Sequence, residues 1–143
     1  MSHEVALLDV NLLFAISEPA QVHHSIAMKW FSRLNQPWAI CGITEAGFLR
    51  VATNPRVGAR SIPQATAFIT RLTSRPNCVF WSVSESWVQL ARPLGPRIHG
   101  HQQITDAYLL GLAIANRGTL VTLDRAMLSL AGPEFRDHVL LLG

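Results

Sequence analysis

The sequence predicts an α/β protein in which a central parallel sheet of four to five strands is covered by helices on both faces. Two observations carry this prediction. Short apolar runs that suit strands alternate with segments whose apolar residues recur at helical spacing. Each strand-like run is apolar throughout, which is typical of strands buried on both faces. The 143 residues suffice for a core without disulfides or metals, so residues 1–143 are taken as one domain.

The first part of the chain supplies two strands and two helices. The predicted elements are, in order, a strand at 5–8, a helix at 11–15, a helix at 24–34 and a strand at 38–43. The first strand ends at Asp9, and the pair Glu18 and Pro19 interrupts the first helix. Pro37 opens the second strand. The second helix follows from the helical spacing of its apolar side chains, Ile26, Ala27, Trp30, Phe31 and Leu34.

The middle of the chain adds three helices, a loop and one strand. The predicted elements are, in order, a helix after Thr44, a loop at 53–61, a helix at 63–72, a strand at 78–81 and a helix at 84–94. Thr44 is the expected N-cap of the first of these helices, and Pro63 opens the second. The third helix is expected to bury a stripe formed by Trp87, Val88 and Ala91.

The last part of the chain contains the most apolar helix. The predicted elements are, in order, an irregular segment at 93–101, a helix at 105–116, a strand at 120–123, a helix at 126–130 and a strand at 139–142. Gly118 is expected at the C′ position that closes the long helix, because glycine adopts the left-handed conformation without strain. The strand at 120–123 ends at Asp124.

Composition limits the classes of protein that fit. Only 15% of the residues are charged, and mean hydropathy is +0.23, so the chain is a packed globule rather than a disordered one. The net charge of +3 modestly favours a polyanionic partner. Cys41 and Cys78 have no metal or redox spacing and are expected as reduced core thiols. Without a signal peptide or a membrane-length apolar stretch, the protein is expected to be soluble and cytoplasmic, with no membrane partner.

Four of the nine acidic residues stand in apolar surroundings at the boundaries of elements. Asp9 and Asp124 each follow a strand directly, whereas Glu45 and Asp106 stand at the starts of helices. In parallel sheets, ligands bind beyond the carboxyl ends of the strands, so these four acids are predicted to meet at one edge. The remaining five acids, Glu4, Glu18, Glu85, Glu134 and Asp137, lie in polar or loop segments.

Each of these acids also has a structural explanation when it is taken alone. Asp9 and Asp124 suit N-caps, and Glu45 and Asp106 suit the first turn of a helix, where the helix dipole favours negative charge. Four acids at one edge, however, would repel one another unless a cation were bound. Because the cluster consists of carboxylates, it points to Mg²⁺ or Mn²⁺ rather than to Zn²⁺.

Four segments of the sequence resemble the acidic motifs of PIN domains, and most closely those of the VapC toxins of bacterial VapBC toxin–antitoxin pairs. The segments are LLDVNLL, TEAGFLRV, ITDAYLLGLA and VTLDRAM, and they stand in the order and at the separations of that family. The resemblance implies a PIN-like nuclease domain that cleaves RNA and leaves a 5′-phosphate and a 3′-hydroxyl. It also implies that Asp9, Glu45, Asp106 and Asp124 are the motif acids, with none missing.

Metal-assisted hydrolysis gives these residues their expected roles. Asp9, Asp106 and Asp124 are predicted to hold Mg²⁺ or Mn²⁺, and Glu45 to be a further ligand or to orient the attacking water. Supporting roles fall to neighbours of the acids, namely Asn11, Thr44, Thr105 and Thr122. The candidates for RNA contact are basic residues near the predicted site, namely Arg125, Arg50, Arg56 and Arg60, although each also suits a solvated basic surface. His99 and His101 are not taken as metal ligands, and their role is open.

Two other functions compete with a ribonuclease. A phosphatase of the haloacid dehalogenase type uses D-x-D after the first strand, but here the motif is D-V-N, and Lys29 is the only lysine. A non-catalytic RNA- or protein-binding module on the same fold is the second alternative. The VapC resemblance further implies a VapB-type antitoxin as partner and a homodimer. The apolar stripes of residues 24–34 and 63–72 suit either such contacts or the core.

Overall fold

Strands and helices alternate along the chain of the computed structural model, which describes residues 5–143. The N-terminal stretch on which the expected absence of a signal peptide rests begins outside these residues. In order, the elements are β1 (Ala6–Leu8), α1 (Val10–Ser17), α2 (His24–Arg33), β2 (Trp38–Cys41), α3 (Gly42–Thr53), α4 (Ile62–Thr73), β3 (Cys78–Trp81), α5 (Trp87–Ala91), α6 (Ile104–Ala115), β4 (Thr119–Thr122), α7 (Ala126–Phe135) and β5 (Val139–Leu141). Short 3-10 turns cover Arg92–Arg97, His101–Gln103 and Arg136–His138.

The five strands form one parallel sheet in the order β3-β2-β1-β4-β5. The predicted fold class is therefore confirmed. The chain builds β1, β2 and β3 outward in one direction and then returns to place β4 on the other side of β1. Such a reversal leaves a crevice at the carboxyl ends of the two strands, and ligands bind there in open α/β sheets. Pairing of Leu8 with Val121 brings the ends of β1 and β4 level with each other.

Side chains that alternate along the strands divide the core between the two faces of the sheet. Leu8, Ile40 and Val121 face helices α1 to α4 on one side. Leu7, Ala39 and Leu120 face helices α5 to α7 on the other side. The apolar stripes of α2 and α4 join the first of these clusters through buried residues, Ala27, Phe31, Ala65, Ile69 and Leu72. Their stripes are thus largely used in the core.

The start of α3 differs from the prediction. The strand β2 ends at Cys41 rather than at residue 43, and Cys41 instead of Thr44 is the N-cap of α3. Thr44 occupies the third helical position, and its hydroxyl oxygen accepts a hydrogen bond from the backbone N–H of Cys41 at 3.0 Å. This reciprocal capping arrangement satisfies a backbone donor at the start of the helix and places Glu45 in the first turn.

Helix α5 is shorter than predicted, and its buried stripe differs. Only Trp87–Ala91 is α-helical, because the segment that follows contains Pro93 and Pro96, which lack the N–H that an α-helix requires. Leu90 and Ala91 are buried, whereas Val88 is 62% exposed. The prediction that Val88 belongs to the buried stripe is therefore wrong.

The closure of α6 also differs from the prediction. Arg117, not Gly118, has the left-handed conformation, with φ of 55°. The N–H of Gly118 donates to the carbonyl of Ala113 at 2.8 Å, and the N–H of Arg117 donates to that of Ile114 at 3.0 Å. This is a Schellman motif with arginine at C′. A Cβ atom on Gly118 would lie 2.6 Å from the Trp81 ring, so the glycine is required by close packing rather than by its φ angle.

Helix α7 continues past residue 130, where it was predicted to end. It reaches Phe135 across a break at Gly132, whose φ of 63° interrupts the helix just before Pro133. Cys41 and Cys78 are free thiols, as predicted. None of the helices among residues 5–143 is long and apolar enough to cross a membrane. The cytoplasmic location and the assignment of residues 1–143 to one domain stay predictions.

Candidate functional site

Two aspartates meet where β1 and β4 end side by side. Asp9 follows β1 and is 5% exposed, and Asp124 lies two residues beyond the end of β4 and is half-buried. The sequence places these residues far apart, but the insertion of β4 beside β1 brings them to one crevice. The reversal of strand order is thus the feature of the fold that creates the site.

The hydroxyl group of Thr122, which is fully buried at the end of β4, links the two aspartates. It donates a hydrogen bond to Oδ2 of Asp9 at 2.7 Å and accepts one from the backbone N–H of Asp124 at 3.0 Å. The orientation of the Asp9 carboxylate is therefore tied to the backbone that carries Asp124. This geometry supports the predicted supporting role of Thr122.

Both aspartates also hold the start of a helix. Oδ1 of Asp9 accepts the backbone N–H of Val10 at 2.8 Å, as the N-cap of α1. Oδ1 of Asp124 accepts the N–H of Ala126 at 2.9 Å, at the start of α7. The structural and the functional explanations of these acids therefore do not compete, because a carboxylate oxygen that accepts one hydrogen bond keeps a second lone pair with which it can serve the crevice.

Asp106, in the first turn of α6, shares the electrostatic field of these two aspartates. Burial, followed by the negative charges of Asp9 and Asp124, raises the pKa of Asp106 to about 6. Burial also raises the pKa of Asp9, and the charge of Asp124 adds to that rise, although hydrogen bonds from Thr122 and Val10 oppose it. Every cause of the Asp106 shift is unfavourable to its charged form, so the negative charges of the three carboxylates oppose one another.

Glu45 lies beside this group, on the neighbouring helix α3. It is half-buried in the first turn of α3, after β2, the neighbour of β1. The starts of α1 and α3 are in close contact, since a Cβ on Gly47 would lie 2.6 Å from a methyl group of Val10. The charge of Glu45 does not contribute to the raised pKa of Asp9 or Asp106. The structure thus brings three of the four predicted acids together and places the fourth on the adjacent helix.

The other predicted supporting residues lie at the same edge in different environments. Asn11 is exposed in the first turn of α1, and Thr105 is exposed in the first turn of α6. Thr44 is fully buried, and its hydroxyl is engaged with Cys41 in the capping of α3. Thr44 therefore acts on the helix that carries Glu45 rather than on a carboxylate.

The four candidate arginines are not equally placed. Arg125 is exposed and directly follows Asp124, and Arg50 is exposed on α3. Arg60 donates to the carbonyl of Ser17 at the end of α1, and its guanidinium lies 5.7 Å from the centre of the Phe68 ring. Because α1 begins at the carboxylate edge and has eight residues, its end lies about 12 Å from that edge.

Three of the four arginines therefore stand away from the acids. Arg60 also forms an ion pair with Glu18 at 3.9 Å, which holds the loop after α3 against the end of α1. Arg56 is exposed in that same loop, and Arg50 lies in the last turn of α3. The structure does not bring Arg50, Arg56 or Arg60 to the carboxylates, because α1 and α3 both run away from the edge at which they begin.

An open cavity of about 460 Å³ leads to the carboxylates. Asp106, Asp124 and Ala126 line it together with residues of the loop before α6, His99, Gly100, His101, Gln102 and Gln103. The sequence left the role of the histidine pair open. The pair stands just before a helix that starts at the carboxylate edge, and this position in the sequence could have indicated that the pair lies near the site.

The donor set fits a hard divalent cation. Carboxylate oxygens are the ligands that Mg²⁺ and Mn²⁺ prefer, and a cation would relieve the repulsion between Asp9, Asp106 and Asp124. Within residues 5–143, no three side chains of the His, Cys, Asp or Glu type are already arranged as a ligand set.

Comparison with known proteins found a matching family and similar proteins. The family model described as the PIN domain matches residues 6–133. Ribonuclease VapC44 of Mycobacterium tuberculosis is 38% identical over 130 residues, which are 90% of this chain and 92% of that protein.

Two solved structures share the fold at 14% sequence identity. VapC20 of Mycobacterium tuberculosis, described as a toxin that cleaves the sarcin–ricin loop, has a TM-score of 0.69, over 89% of this chain and 95% of that chain. VapBC2 of Rickettsia felis, solved with a DNA fragment from its promoter, has a TM-score of 0.65, over 97% and 99%. Because the family model spans most of the sequence and a VapC ribonuclease is similar along nearly its whole length, this chain belongs to the PIN domain family, in its VapC branch.

Proposed function

We propose that the protein is a Mg²⁺- or Mn²⁺-dependent endoribonuclease and the toxin of a type II toxin–antitoxin pair. One observation carries the proposal: Asp9, Asp106 and Asp124 gather at the strand-order reversal, and the pKa of Asp106 is raised by burial and by the other two charges. Such an arrangement costs stability in a protein that makes no use of it. The similarity to ribonucleases of the VapC group supports RNA as the substrate.

In this proposal the three aspartates hold the cation, directly or through water. When bound there, the ion would supply polarisation of the phosphodiester and a lowered pKa for a water molecule that serves as the nucleophile. Thr122 fixes the carboxylate of Asp9 in the crevice through its 2.7 Å hydrogen bond. Glu45, on the adjacent helix, is a further ligand or orients the attacking water. Hydrolysis breaks the bond between phosphorus and the 3′ oxygen, leaving a 5′-phosphate and a 3′-hydroxyl.

A VapB-type antitoxin is proposed as the partner that restrains this activity. VapBC2 of Rickettsia felis, which has the same fold, was solved as a toxin–antitoxin pair. A homodimer is proposed as well, and the mass of the purified protein in solution tests it. Co-purification with the product of a neighbouring small gene tests the antitoxin.

The phosphatase alternative is not favoured by the positions of the basic residues. Such an enzyme needs a lysine near its first aspartate. Lys29, the only lysine, lines a groove on α2 together with Arg33 and the segment that leads into β2, at the opposite edge of the sheet from Asp9. The activity test in the next paragraph distinguishes a nuclease from the other alternative, a non-catalytic binding module.

The test compares wild-type protein with Asp106→Asn on labelled structured RNAs, with Mn²⁺ or with excess chelator. Asp106 forms no hydrogen bond within residues 5–143, so its replacement leaves the helix caps intact. Asp137→Asn, at an exposed site in the turn before β5, is the matched control. We expect the wild type and the control to cleave only with metal and to leave 5′-phosphate ends. If the wild type leaves a broad panel of RNAs intact and calorimetry shows no Mn²⁺ binding, the protein is a binding module instead.

A further inference from the structure

A short loop lines the same cavity as two of the carboxylates, and neither the fold nor the proposed metal site accounts for it. The segment of residues 99–103, with the sequence His-Gly-His-Gln-Gln, is called the histidine loop below. All five of its residues line the cavity that Asp106 and Asp124 also line. A molecule whose reacting group lies at the carboxylates would therefore lie beside this loop.

The histidine loop is fixed in place by its own hydrogen bonds. The backbone N–H of His99 donates to Oε1 of Gln103 at 2.5 Å, and the N–H of Gln103 donates to the carbonyl of Gly100 at 3.1 Å. Just beyond the loop, the indole N–H of Trp87 donates to the carbonyl of Ile104 at 2.8 Å. The loop thus presents its remaining side chains in one arrangement, which lowers the entropy cost of binding a ligand.

Three side chains of the histidine loop have no task within the described part of the chain. Those of His99, His101 and Gln102 make no hydrogen bond or ion pair with residues 5–143, although all three line the cavity. Gln103, in contrast, is used to close the loop. These three side chains can donate and accept hydrogen bonds, and they line a space large enough for a small ligand.

The chemistry of these side chains fits a nucleotide beside a metal site. A lysine or arginine in this loop would pair with Asp106 or Asp124 and compete with the cation. Imidazole and amide groups can bind a phosphate oxygen, a ribose hydroxyl or a base edge without forming that ion pair. Imidazole rings also stack on unpaired bases, and single-stranded RNA exposes such bases to proteins. An apolar ligand, in contrast, would find few apolar side chains in this cavity.

We propose that the histidine loop is the subsite for the nucleotide next to the cleaved phosphodiester in single-stranded RNA, with His99, His101 and Gln102 as its contacts. The inference rests on the proposed ribonuclease function and deepens it. Because the loop faces the base and not the cation, it sets which nucleotide is accepted beside the cleavage point. His99, His101 and Gln102 are thus specificity residues, whereas the three aspartates serve the reaction itself.

The first test needs no cleavage. Short single-stranded RNAs of mixed sequence are added, in chelator, to protein with isotope-labelled histidine, and the ring signals are followed by NMR. We expect those of His99 and His101 to shift. The internal controls are His24 and His138, whose rings are bound to the carbonyls of Ala15 and Gly118 away from the cavity, and their signals should stay. RNA binding that leaves the His99 and His101 signals unchanged would overturn the proposal.

The second test replaces His99, His101 and Gln102 together by alanine, with Asn35→Ala, on the opposite edge of the sheet, as control. Since stacking and base contacts contribute about 1–3 kcal/mol each, we expect RNA affinity to fall at least about tenfold and the base preference next to the cleavage point to relax. Mn²⁺ affinity, measured by calorimetry, should stay unchanged.

The outcomes separate this inference from the proposed function. An equal loss of Mn²⁺ affinity in the triple variant would make the loop a metal ligand and overturn the inference. Unchanged RNA affinity and base preference would overturn it as well. If the wild type binds RNA through the loop but cleaves none, the loop is a nucleotide-binding site as inferred, but the nuclease proposal fails and with it the position beside a cleaved bond. If the wild type neither binds nor cleaves RNA, both fail.

Discussion

Replacing Asp106 by asparagine is expected to stabilise the metal-free protein. Asp106 is partly buried in the first turn of α6, and its charged form is opposed by the charges of Asp9 and Asp124. Asparagine has nearly the same shape, carries no charge and leaves the helix caps of the other two aspartates in place. The variant therefore removes the repulsion without opening a cavity.

The magnitude follows from the pKa of Asp106, which burial and the two neighbouring charges raise from 3.8 to about 6. At about 1.4 kcal/mol for each tenfold change in the protonation equilibrium, this corresponds to roughly 3 kcal/mol at most. Solvent screens a partly exposed carboxylate, so the gain in the free energy of unfolding is expected to be about 1–2 kcal/mol.

The pH dependence gives the sign of the effect. A raised pKa means that the folded state holds the Asp106 proton more tightly than the unfolded state does. Ionisation of Asp106 therefore costs no stability below pH about 4, where both states are protonated, and costs its full amount above pH about 6. The advantage of Asp106→Asn should be complete at pH about 8 and should disappear on acidification to pH about 4.

Urea denaturation of wild type, Asp106→Asn and the surface control Asp137→Asn, in chelator at several pH values, measures this difference. Added Mn²⁺ should stabilise the wild type and the control, because a ligand that binds only the folded state raises its stability, and it should have less effect on Asp106→Asn. The reasoning is refuted if Asp106→Asn is no more stable than the wild type at pH about 8, or if its advantage does not depend on pH.

Three further substitutions test individual contacts. Thr122→Val should lower the free energy of unfolding by about 1–3 kcal/mol and weaken Mn²⁺ binding, because it removes both hydrogen bonds of the buried hydroxyl, and Thr122→Ser should retain them. Gly111→Ala should lower the free energy of unfolding by about 1–3 kcal/mol or more, because its Cβ would lie 2.2 Å from the carbonyl oxygen of Leu90. Gly95→Ala is the control and should have a much smaller effect, because a Cβ at Gly95 meets nothing within 4 Å. Arg117→Gly should stabilise by up to about 1 kcal/mol, because φ of 55° is costly for arginine. Urea denaturation measures all three, and calorimetry measures Mn²⁺ binding.

The sequence predicted the architecture because its three central strands, β2, β1 and β4, are largely buried on both faces, although the edge strands β3 and β5 are partly exposed. A run such as residues 5–8 is apolar throughout, and that composition is a local property that needs no knowledge of the fold. The position of Asp9 and Asp124 at strand ends followed directly, since the side chain after a parallel strand must lie at its carboxyl edge.

Errors arose where a neighbouring element overrides the local pattern. Val88 stands in an apolar segment, yet it is exposed, whereas Leu90 and Ala91 are buried and Trp87 packs against the core. Gly118 suggested a helix terminator, but a Cβ atom there would meet the Trp81 ring, and the left-handed conformation falls to Arg117. The Trp81 ring comes from a distant part of the chain, so this contact is not visible in the segment around Gly118.

The places of the acids at strand ends and helix starts predicted that they share one edge, but local patterns could not show that β4 lies next to β1. A hydrogen bond joins Thr122 to Asp9 across most of the chain, and it exists because β4 pairs with β1 instead of adding beyond β3. Strand order depends on contacts between distant parts of the chain, so the direct link between Asp9 and the end of β4 could not be predicted.

The hydrogen bonds that position the acids also reduce the loss of stability that their mutual repulsion causes. Asp9 is held by Val10 and Thr122, and both contacts favour its charged form, while Asp124 holds the start of α7. Burial nevertheless raises the pKa of Asp9, and that of Asp106, which has no such hydrogen bonds within residues 5–143, is raised to about 6. Substitutions at Asp9 therefore remove a cap as well as a ligand, whereas Asp106→Asn removes charge alone. For this reason Asp106→Asn tests the role of the site in metal binding without weakening the fold. If this variant gains stability and loses metal affinity, the carboxylates are kept together for the ion.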